Sequence, residues 1–317
     1  MRLLVLTASP RTPDIATALE RLALLANAEI HVLDKKQQAN LRPYLAPREL
    51  VRFDRVLLDV PFKRLRRQAA LLSSISGLLI YEEDACQNYL DSSKWKGAFS
   101  RFYRALPGAR IIVTGASVAG RLRKECLDVT FLPKGYDPRS IFNEGLCRDI
   151  ELGFVGRTAS AAYGGRKALL DRLAKHEPLR LLRAEPGDDY RRILNRIRFF
   201  ISADVGLGEY MAKNFEAMAC GCLLFAFRQG EEEEAIGLRD GEHLILYSSL
   251  DELRSRLSWA RSNPEAVRDI AEAGRLFVER SLNHEVLGER LYSELSKPWP
   301  AFSELSFWAR FRARFLI

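Results

Sequence analysis

Histidine and cysteine are both scarce in this chain, four and five among 317 residues. The cysteines are odd in number and scattered, apart from Cys220 and Cys222. That argues against a disulfide framework and for reduced thiols in a cytoplasm. Cys220-Gly-Cys222 has no further His or Cys nearby in sequence to complete a metal site. Both read as buried packing cysteines, and no metal is expected. So few histidines also leave little material for acid–base chemistry of the epimerase kind. No apolar run approaches the ~20 residues needed to span a bilayer. The opening Met1-Arg-Leu-Leu-Val-Leu-Thr-Ala-Ser9 is too short for a secretory signal and reads as a first buried strand. Internal repeats and low-complexity tracts are lacking as well.

What is present is globular: 47% hydrophobic and 28% charged residues, in a chain long enough for two domains. The net charge of +8 is unevenly spread. Residues 1–135 hold 22 Lys and Arg against 13 Asp and Glu, whereas the remainder holds 27 against 28. A basic field confined to the first half attracts anionic partners: phosphorylated acceptors, anionic lipid or nucleic acid.

Along the first half, apolar strands at Leu3–Thr7, Ile30–Leu33, Arg52–Val60, Gly77–Tyr81, Arg110–Thr114 and Thr130–Pro133 alternate with helical stretches. Those stretches are Pro13–Ala26, the basic Lys63–Leu72, Lys96–Leu106 and Ser117–Glu125. A turn-rich break at Pro133–Phe142 follows, and the pattern restarts. Strands are expected at Leu152–Val155, Arg180–Arg183, Phe199–Ala203, Leu223–Phe227 and Leu244–Tyr247. Helices are expected at Arg166–Ala174, Asp188–Arg196, 250–262 and 264–280, and Glu231–Glu234 reads as an acidic loop, either a solvated charge run or, since it follows a site strand, a contact for sugar hydroxyls. Strands apolar throughout and alternating with helices predict parallel sheets covered on both faces.

The richest stretch is Gly206–Phe225, where a Gly-containing loop runs into a short helix that stops at Gly221 and feeds an apolar strand. Free amides at a helix N-terminus attract anions, and Lys213 adds a cation for a phosphate. Glu216 falls one turn further on the same helix face, where a carboxylate suits a ribose diol. This predicts a nucleotide-diphosphate site. Two Rossmann-like units place ligands outside the carboxyl ends of their strands. The site is therefore expected in a central cleft faced by both units, with loops 156–165, 184–187, 204–212 and 228–236 contributed by the second.

Taken in order, several motifs resemble a known family. They are Gly156-Arg157 after a strand, Phe215-Glu-Ala-Met-Ala-Cys-Gly221, Asp240-Gly-Glu-His-Leu-Ile-Leu-Tyr247, Leu250-Asp-Glu-Leu253, Asn263-Pro264, Ala271-Glu-Ala-Gly274 and Asn283-His284. Together they look like the C-terminal half of retaining GT-B glycosyltransferases of the family 4 type, nearest a shortened branch that includes spore-maturation-like proteins. Leu132-Pro-Lys-Gly-Tyr-Asp-Pro-Arg-Ser-Ile-Phe142 is similar to that family's interdomain segment. The resemblance covers about 130–295, while strand order alone supports it over 1–130.

The resemblance implies an α/β GT-B fold: an acceptor domain over 1–135, a nucleotide-sugar domain over 136–295 and a tail helix over 296–317. It implies that Glu216 binds the donor ribose, that Arg157, Arg166 and Lys213 meet the diphosphate, and that amides at Gly156, Met211 and Ala212 cap the phosphates. Glu209 would contact the sugar, although it stands one residue nearer to Glu216 than the family pattern has it. Glu83, with Asp84, stands where the family often has a histidine after the strand ending at Tyr81, and is the catalytic candidate of the first domain. Lys213, Arg157 and Arg166 would stabilise the leaving diphosphate, making a metal unnecessary, with front-face attack and retention. Each residue also has a structural reading: Glu209 as a first-turn carboxylate, Arg157 as a solvated loop residue, Arg166 as an exposed helix start, Glu83 as a helix cap.

The activity implied is transfer from a nucleotide-sugar donor to a glycan or lipid-linked acceptor in surface polysaccharide or lipopolysaccharide assembly. Lys63-Arg-Leu-Arg-Arg67 and the aromatic, cationic tail 299–317 suit an anionic membrane surface, which implies a cytoplasmic, peripheral protein. The tail alternatively packs back on the first domain. Nucleic acid is not expected, because no basic motif outside the tail is interleaved with aromatics. An epimerase-like enzyme on the same fold and a non-catalytic binder of nucleotide-sugars or other anions stay as rival readings.

Overall fold

The computed structural model describes residues 1–11, 14–158 and 164–299, with Arg48 known by its backbone alone. It divides into a unit of Met1–Leu132 joined by the described residues from Leu287, and a unit of Pro133–Val286. The expected second domain, 136–295, is thus shorter at its far end.

In the first unit, β1 (Arg2–Ala8), β2 (Asn27–Leu33), β3 (Arg55–Asp59), β4 (Leu78–Glu82), β5 (Arg110–Val113) and β6 (Val129–Phe131) form one parallel sheet. Their order is β2-β1-β3-β4-β5-β6. Successive strand residues point to opposite faces, and both faces are apolar. Leu4, Leu6, Leu58, Ile80 and Ile111 enter one core, and Leu3, Val5, Leu57, Leu79 and Ile112 the other. This is why the strands read as continuous apolar runs.

The second core explains the shifted boundary. On the helix His284–Ser296, Leu287, Leu291 and Leu295 recur every four residues and are buried with Ala18, Leu19 and Leu22 of the helix Ala16–Leu25. Burial of each such leucine is worth about 1.5–3 kcal/mol. The two helices approach closely: a Cβ on Gly288 would lie 2.5 Å from the Ala18 carbonyl oxygen. Arg21 and Glu289 close the same contact with an ion pair of 2.6 Å. Beyond the helix, the Trp299 ring lies under the guanidinium carbons of Arg55 and Arg110, at 4.7 and 4.4 Å. Its indole N–H donates to the Gly108 carbonyl at 3.1 Å. The described start of the tail therefore packs on the first unit, and the remainder, 300–317, lies outside the described residues.

The second unit holds β7 (Ile150–Val155), β8 (Arg180–Leu182), β9 (Ile197–Ser202), β10 (Leu223–Phe227) and β11 (Ile245–Tyr247). They form a parallel sheet in the order β11-β10-β9-β7-β8. Ile150, Phe200, Leu224 and Leu246 face one core, and Leu152, Phe154, Phe199, Phe225 and Tyr247 the other. Cys220 and Cys222 are buried in the first of these.

Both sheets wind alike. The chain leaves the first strand of each unit to one side, then returns to add its third strand on the other. The reversal falls between β1 and β3 in the first unit and between β7 and β9 in the second. Such a switch point opens a crevice at the carboxyl ends of the two strands, where ligands of open α/β sheets bind.

Two local expectations are corrected. Lys63–Leu72 is not one helix: Phe62–Leu65 and Ala69–Leu72 are separated by a 3₁₀ turn at Arg66–Gln68. Gln68 is drawn inward there, accepting from the Leu41 N–H at 2.7 Å and donating to the Gln38 carbonyl at 3.0 Å. Glu231–Glu234 is not a solvated loop but the start of a helix, Glu231–Ile236, with Glu232 and Glu233 buried. Acidic residues in a first helical turn match the dipole, and Glu233 accepts hydrogen bonds from the Tyr210 hydroxyl and the Gln229 N–H, each at 2.7 Å. Among the described residues no helix is long and apolar enough to cross a membrane.

Candidate functional site

The crevice between β7 and β9 is built from residues that directly follow the two strands. After β7, Gly156 has φ +135°, a backbone that side-chain-bearing residues rarely adopt. The space its missing side chain leaves is used: the Lys213 ammonium stands 3.0 Å from where a Cβ would be. After β9 comes Asp204, a fully buried carboxylate. Lys213 reaches the crevice from the second position of the helix Ala212–Ala219, and its ammonium lies 4.5 Å from the centre of the Phe154 ring.

Asp204 organises the crevice. It accepts from Arg166 at 2.6 Å, the Asn214 amide at 2.8 Å, the Ser202 hydroxyl at 3.2 Å and the Met211 backbone N–H at 3.3 Å. Burial pushes its pKa up, but Lys213, Arg166 and the Asn214 bond outweigh burial and hold it below the ordinary carboxylate range. Asp204 is therefore a fixed anion. Lys213 responds in the opposite sense. Burial lowers its pKa most, Asp204 and Glu216 raise it, Arg166 lowers it, and the result is about 8. An ammonium that burial discharges so readily favours an anionic ligand that would keep it charged.

The structure brings Gly156, Lys213 and Arg166 together around Asp204, with Met211 at the same spot. Arg166 is not at an exposed helix start: it is buried, and its guanidinium carbon lies 5.9 Å from the Phe154 ring centre. The Met211 amide donates to Asp204, so a carboxylate already holds the group expected to cap a phosphate. Ala212 opens the helix just behind it. Arg157 is exposed beside Gly156. Glu216, half-buried one turn along from Lys213, accepts from the Tyr190 hydroxyl at 2.5 Å.

Glu209 has a different partner. It is buried and paired with Lys134 at 2.8 Å, and the Lys134 ammonium also lies 3.9 Å from the Met211 sulfur. The loop that carries Glu209 is laced to the end of β10. Gln229 accepts from the Gly208 N–H at 3.0 Å and donates to the Asp204 carbonyl at 2.8 Å. The residues missed in the sequence are thus Asp204, Phe154, Tyr190, Lys134 and Gln229. Asp204 carried one signal, as the first charged residue after an apolar strand in a loop already assigned to the site.

Glu83 belongs to the first unit, where it sits beside that unit's own switch point. Thr7 and Asp59 pair in register at the ends of β1 and β3, and the Thr7 hydroxyl donates to Asp59 at 2.7 Å. Arg11 pairs with Asp59 and, at 3.0 Å, with Glu83, which also accepts from the Tyr81 hydroxyl at 3.1 Å. Burial raises Asp59 to about 6, against the pull of Arg11 and Thr7. Burial and Asp84 raise the neighbouring Glu82 to about 8. Among the described residues, no group of three or more His, Cys, Asp or Glu side chains is placed to hold a metal ion.

Residues 155–289 match the model of a family described as glycosyl transferase-like. No curated protein matches the chain's sequence significantly. Solved structures match the fold over nearly the whole chain. HepE of Anabaena in complex with UDP is 12% identical, with 93% of this chain and 100% of that one covered and a TM-score of 0.68. Sucrose-phosphate synthase of Thermosynechococcus elongatus is 13% identical, with 93% and 99% covered and a TM-score of 0.64. A glycosyltransferase of Rickettsia africae is 11% identical, with 93% and 98% covered and a TM-score of 0.63. The chain thus has the GT-B fold of two Rossmann-like units, and the family match over its second unit marks it as an enzyme of the glycosyltransferase type.

Proposed function

We propose that this protein moves a sugar from a nucleoside-diphosphate donor to a glycan or lipid-linked acceptor, with retention at the anomeric carbon. The observation that carries this reading is the convergence of Lys213 and Arg166 on Asp204 beneath Gly156, at the switch point of the second unit. Lys213 and Arg166 offer two cations to a diphosphate beside the fixed Asp204 carboxylate. HepE of Anabaena, similar in fold, has been solved with UDP and with UDP-glucose.

In this reading the diphosphate lies over Gly156 with Lys213 beside it, and Arg157 supplies a further, exposed cation. Negative charge grows on the leaving phosphate as the glycosidic bond breaks, and cations placed beforehand stabilise it more than they stabilise the intact donor. The leaving phosphate oxygen takes the acceptor proton, and Arg157, Arg166 and Lys213 supply the positive charge that would make a metal unnecessary. Glu216 accepts from the ribose hydroxyls. Glu209, held by Lys134, reaches the sugar only if that pair opens. Glu83 and Arg11 serve the acceptor in the first unit. The basic residues of 63–67 hold the protein at an anionic surface on the cytoplasmic side, where lipid-linked acceptors of polysaccharide or lipopolysaccharide assembly lie.

Incubation with UDP-, GDP-, ADP- and dTDP-sugars tests the activity. Release of the nucleoside diphosphate from one of them is expected, with the α-configured product from an α-linked donor seen by NMR. Binding without release would favour the non-catalytic reading, and an inverted product would overturn retention.

A further inference from the structure

The cations of Lys63–Arg67 gain a neighbour that the sequence keeps apart from them. Trp95 comes from the loop after β4, between the 3₁₀ turn Ala85–Asn88 and the helix Ala98–Arg104. Its ring meets Phe62 edge-on at 5.4 Å. The Arg66 guanidinium carbon and the Lys94 ammonium lie 5.0 and 5.1 Å from its centre. Trp95 is half-buried against the core, while Lys63, Arg67 and Lys94 are exposed. No carboxylate interrupts the chain between Asp59 and Glu82. Among the described residues, Lys63, Arg64, Arg66, Arg67 and Lys94 form no ion pair, whereas Lys96 in the same loop pairs with Asp91.

Cations without carboxylates of their own leave a field that attracts an anionic surface. A tryptophan among them adds what a free phosphate does not use. Its ring settles at the level of lipid headgroups, where tryptophan and basic side chains collect together. The topology orients the patch. Phe62–Leu65 starts three residues after Asp59, the last residue of β3, and the Trp95 loop follows β4, so both leave the carboxyl ends of their strands. Arg11, Asp59 and Glu83 meet at the same ends. Trp299 sits instead on Arg55 and Arg110, the first residues of β3 and β5. We infer that Trp95, Lys94 and the cations of 63–67 dock the protein on an anionic bilayer with the carboxyl ends of the first sheet toward the lipid, so that the acceptor is drawn from the membrane. This inference rests on the anionic-surface reading of the basic segment.

The test is co-sedimentation of the full chain with vesicles of phosphatidylcholine, with and without phosphatidylglycerol. Lys63→Gln, Arg67→Gln and Lys94→Gln together, all at exposed positions, should leave Tm unchanged and weaken binding to the anionic vesicles about a hundredfold. Lipids with brominated acyl chains should quench the tryptophan fluorescence of the bound wild type. Trp95→Phe should remove most of that quenching, and Trp308→Phe, in the tail, should keep it. An unweakened triple variant, or quenching lost with Trp308 rather than Trp95, would overturn the inference and leave the surface contact to the tail. Tighter binding of an RNA duplex than of anionic vesicles, lost in the triple variant, would overturn it as well. Failure of the wild type to bind anionic vesicles would remove the anionic-surface reading and this inference with it.

Discussion

The Lys213 ammonium occupies the space that a side chain on residue 156 would need, 3.0 Å from the Cβ position of Gly156. Two motifs 57 residues apart in sequence, Gly156-Arg157 and Lys213-Asn-Phe-Glu216, are therefore one object in space.

Gly156→Ala should damage both partners of this contact. The φ of +135° becomes strained, at a cost of about 1–3 kcal/mol, and the new methyl displaces the ammonium. Differential scanning calorimetry should show a lower Tm, and nucleoside diphosphate affinity should fall along with it. A variant that binds as tightly as the wild type would separate Lys213 from the phosphate site.

Lys213 also predicts a pH dependence. Its pKa is about 8 when folded against 10.5 for a lysine in water. Folding therefore disfavours its charge, a destabilisation fully present below pH 8 and relieved as pH rises toward 10.5. Lys213→Met should raise stability at pH 7 by roughly 1–3 kcal/mol while removing most diphosphate affinity. In the wild type, affinity should be flat from pH 6.5 to about 8 and then fall by up to about tenfold per unit. Titration calorimetry across that range checks both statements.

The Lys134–Glu209 pair should prove structural. Lys134→Met removes the cation paired with the buried Glu209 carboxylate, which costs about 3–5 kcal/mol. Replacing both, Lys134→Met with Glu209→Leu, should recover most of that loss in denaturant unfolding. If the double variant keeps donor turnover, Glu209 has no part in holding the sugar.

In the first unit, Asp59 at about 6 and Glu82 at about 8 both lie above their ordinary values. For a raised carboxyl the folded state binds the extra proton, so stability falls as pH rises, from about 4 to 6 for Asp59 and from about 4.5 to 8 for Glu82. Arg11→Met should be more costly at pH 8 than at pH 5, because only the ionised Asp59 needs its partner. Thermal melts of the variant at the two pH values decide this, and a deficit independent of pH would contradict it.

The strands and their parallel pairing were legible because the central strands are apolar on both faces, a pattern that parallel sheets impose. Glu216 and Lys213 were legible because a loop, a helix start and a charge lie close together in sequence, whereas Gly156 entered only through the family resemblance. Asp204 was not, since its partners Arg166 and Asn214 gain meaning only when β7 and β9 lie side by side. Tyr190 and Lys134 are separated from the glutamates they hold by 26 and 75 residues. No local pattern encodes such pairings.

The central claim, a nucleoside diphosphate site around Lys213 and Glu216, is tested most directly by thermal shift of the wild type, Lys213→Met and Glu216→Ala against UDP-, GDP-, ADP- and dTDP-sugars. At about 100 times its dissociation constant, a ligand adds ~2.7 kcal/mol to the folded state. One donor should raise the wild-type Tm, and the same donor should leave Glu216→Ala and Lys213→Met unmoved. No shift with any donor, or equal shifts in all three proteins, would contradict the site.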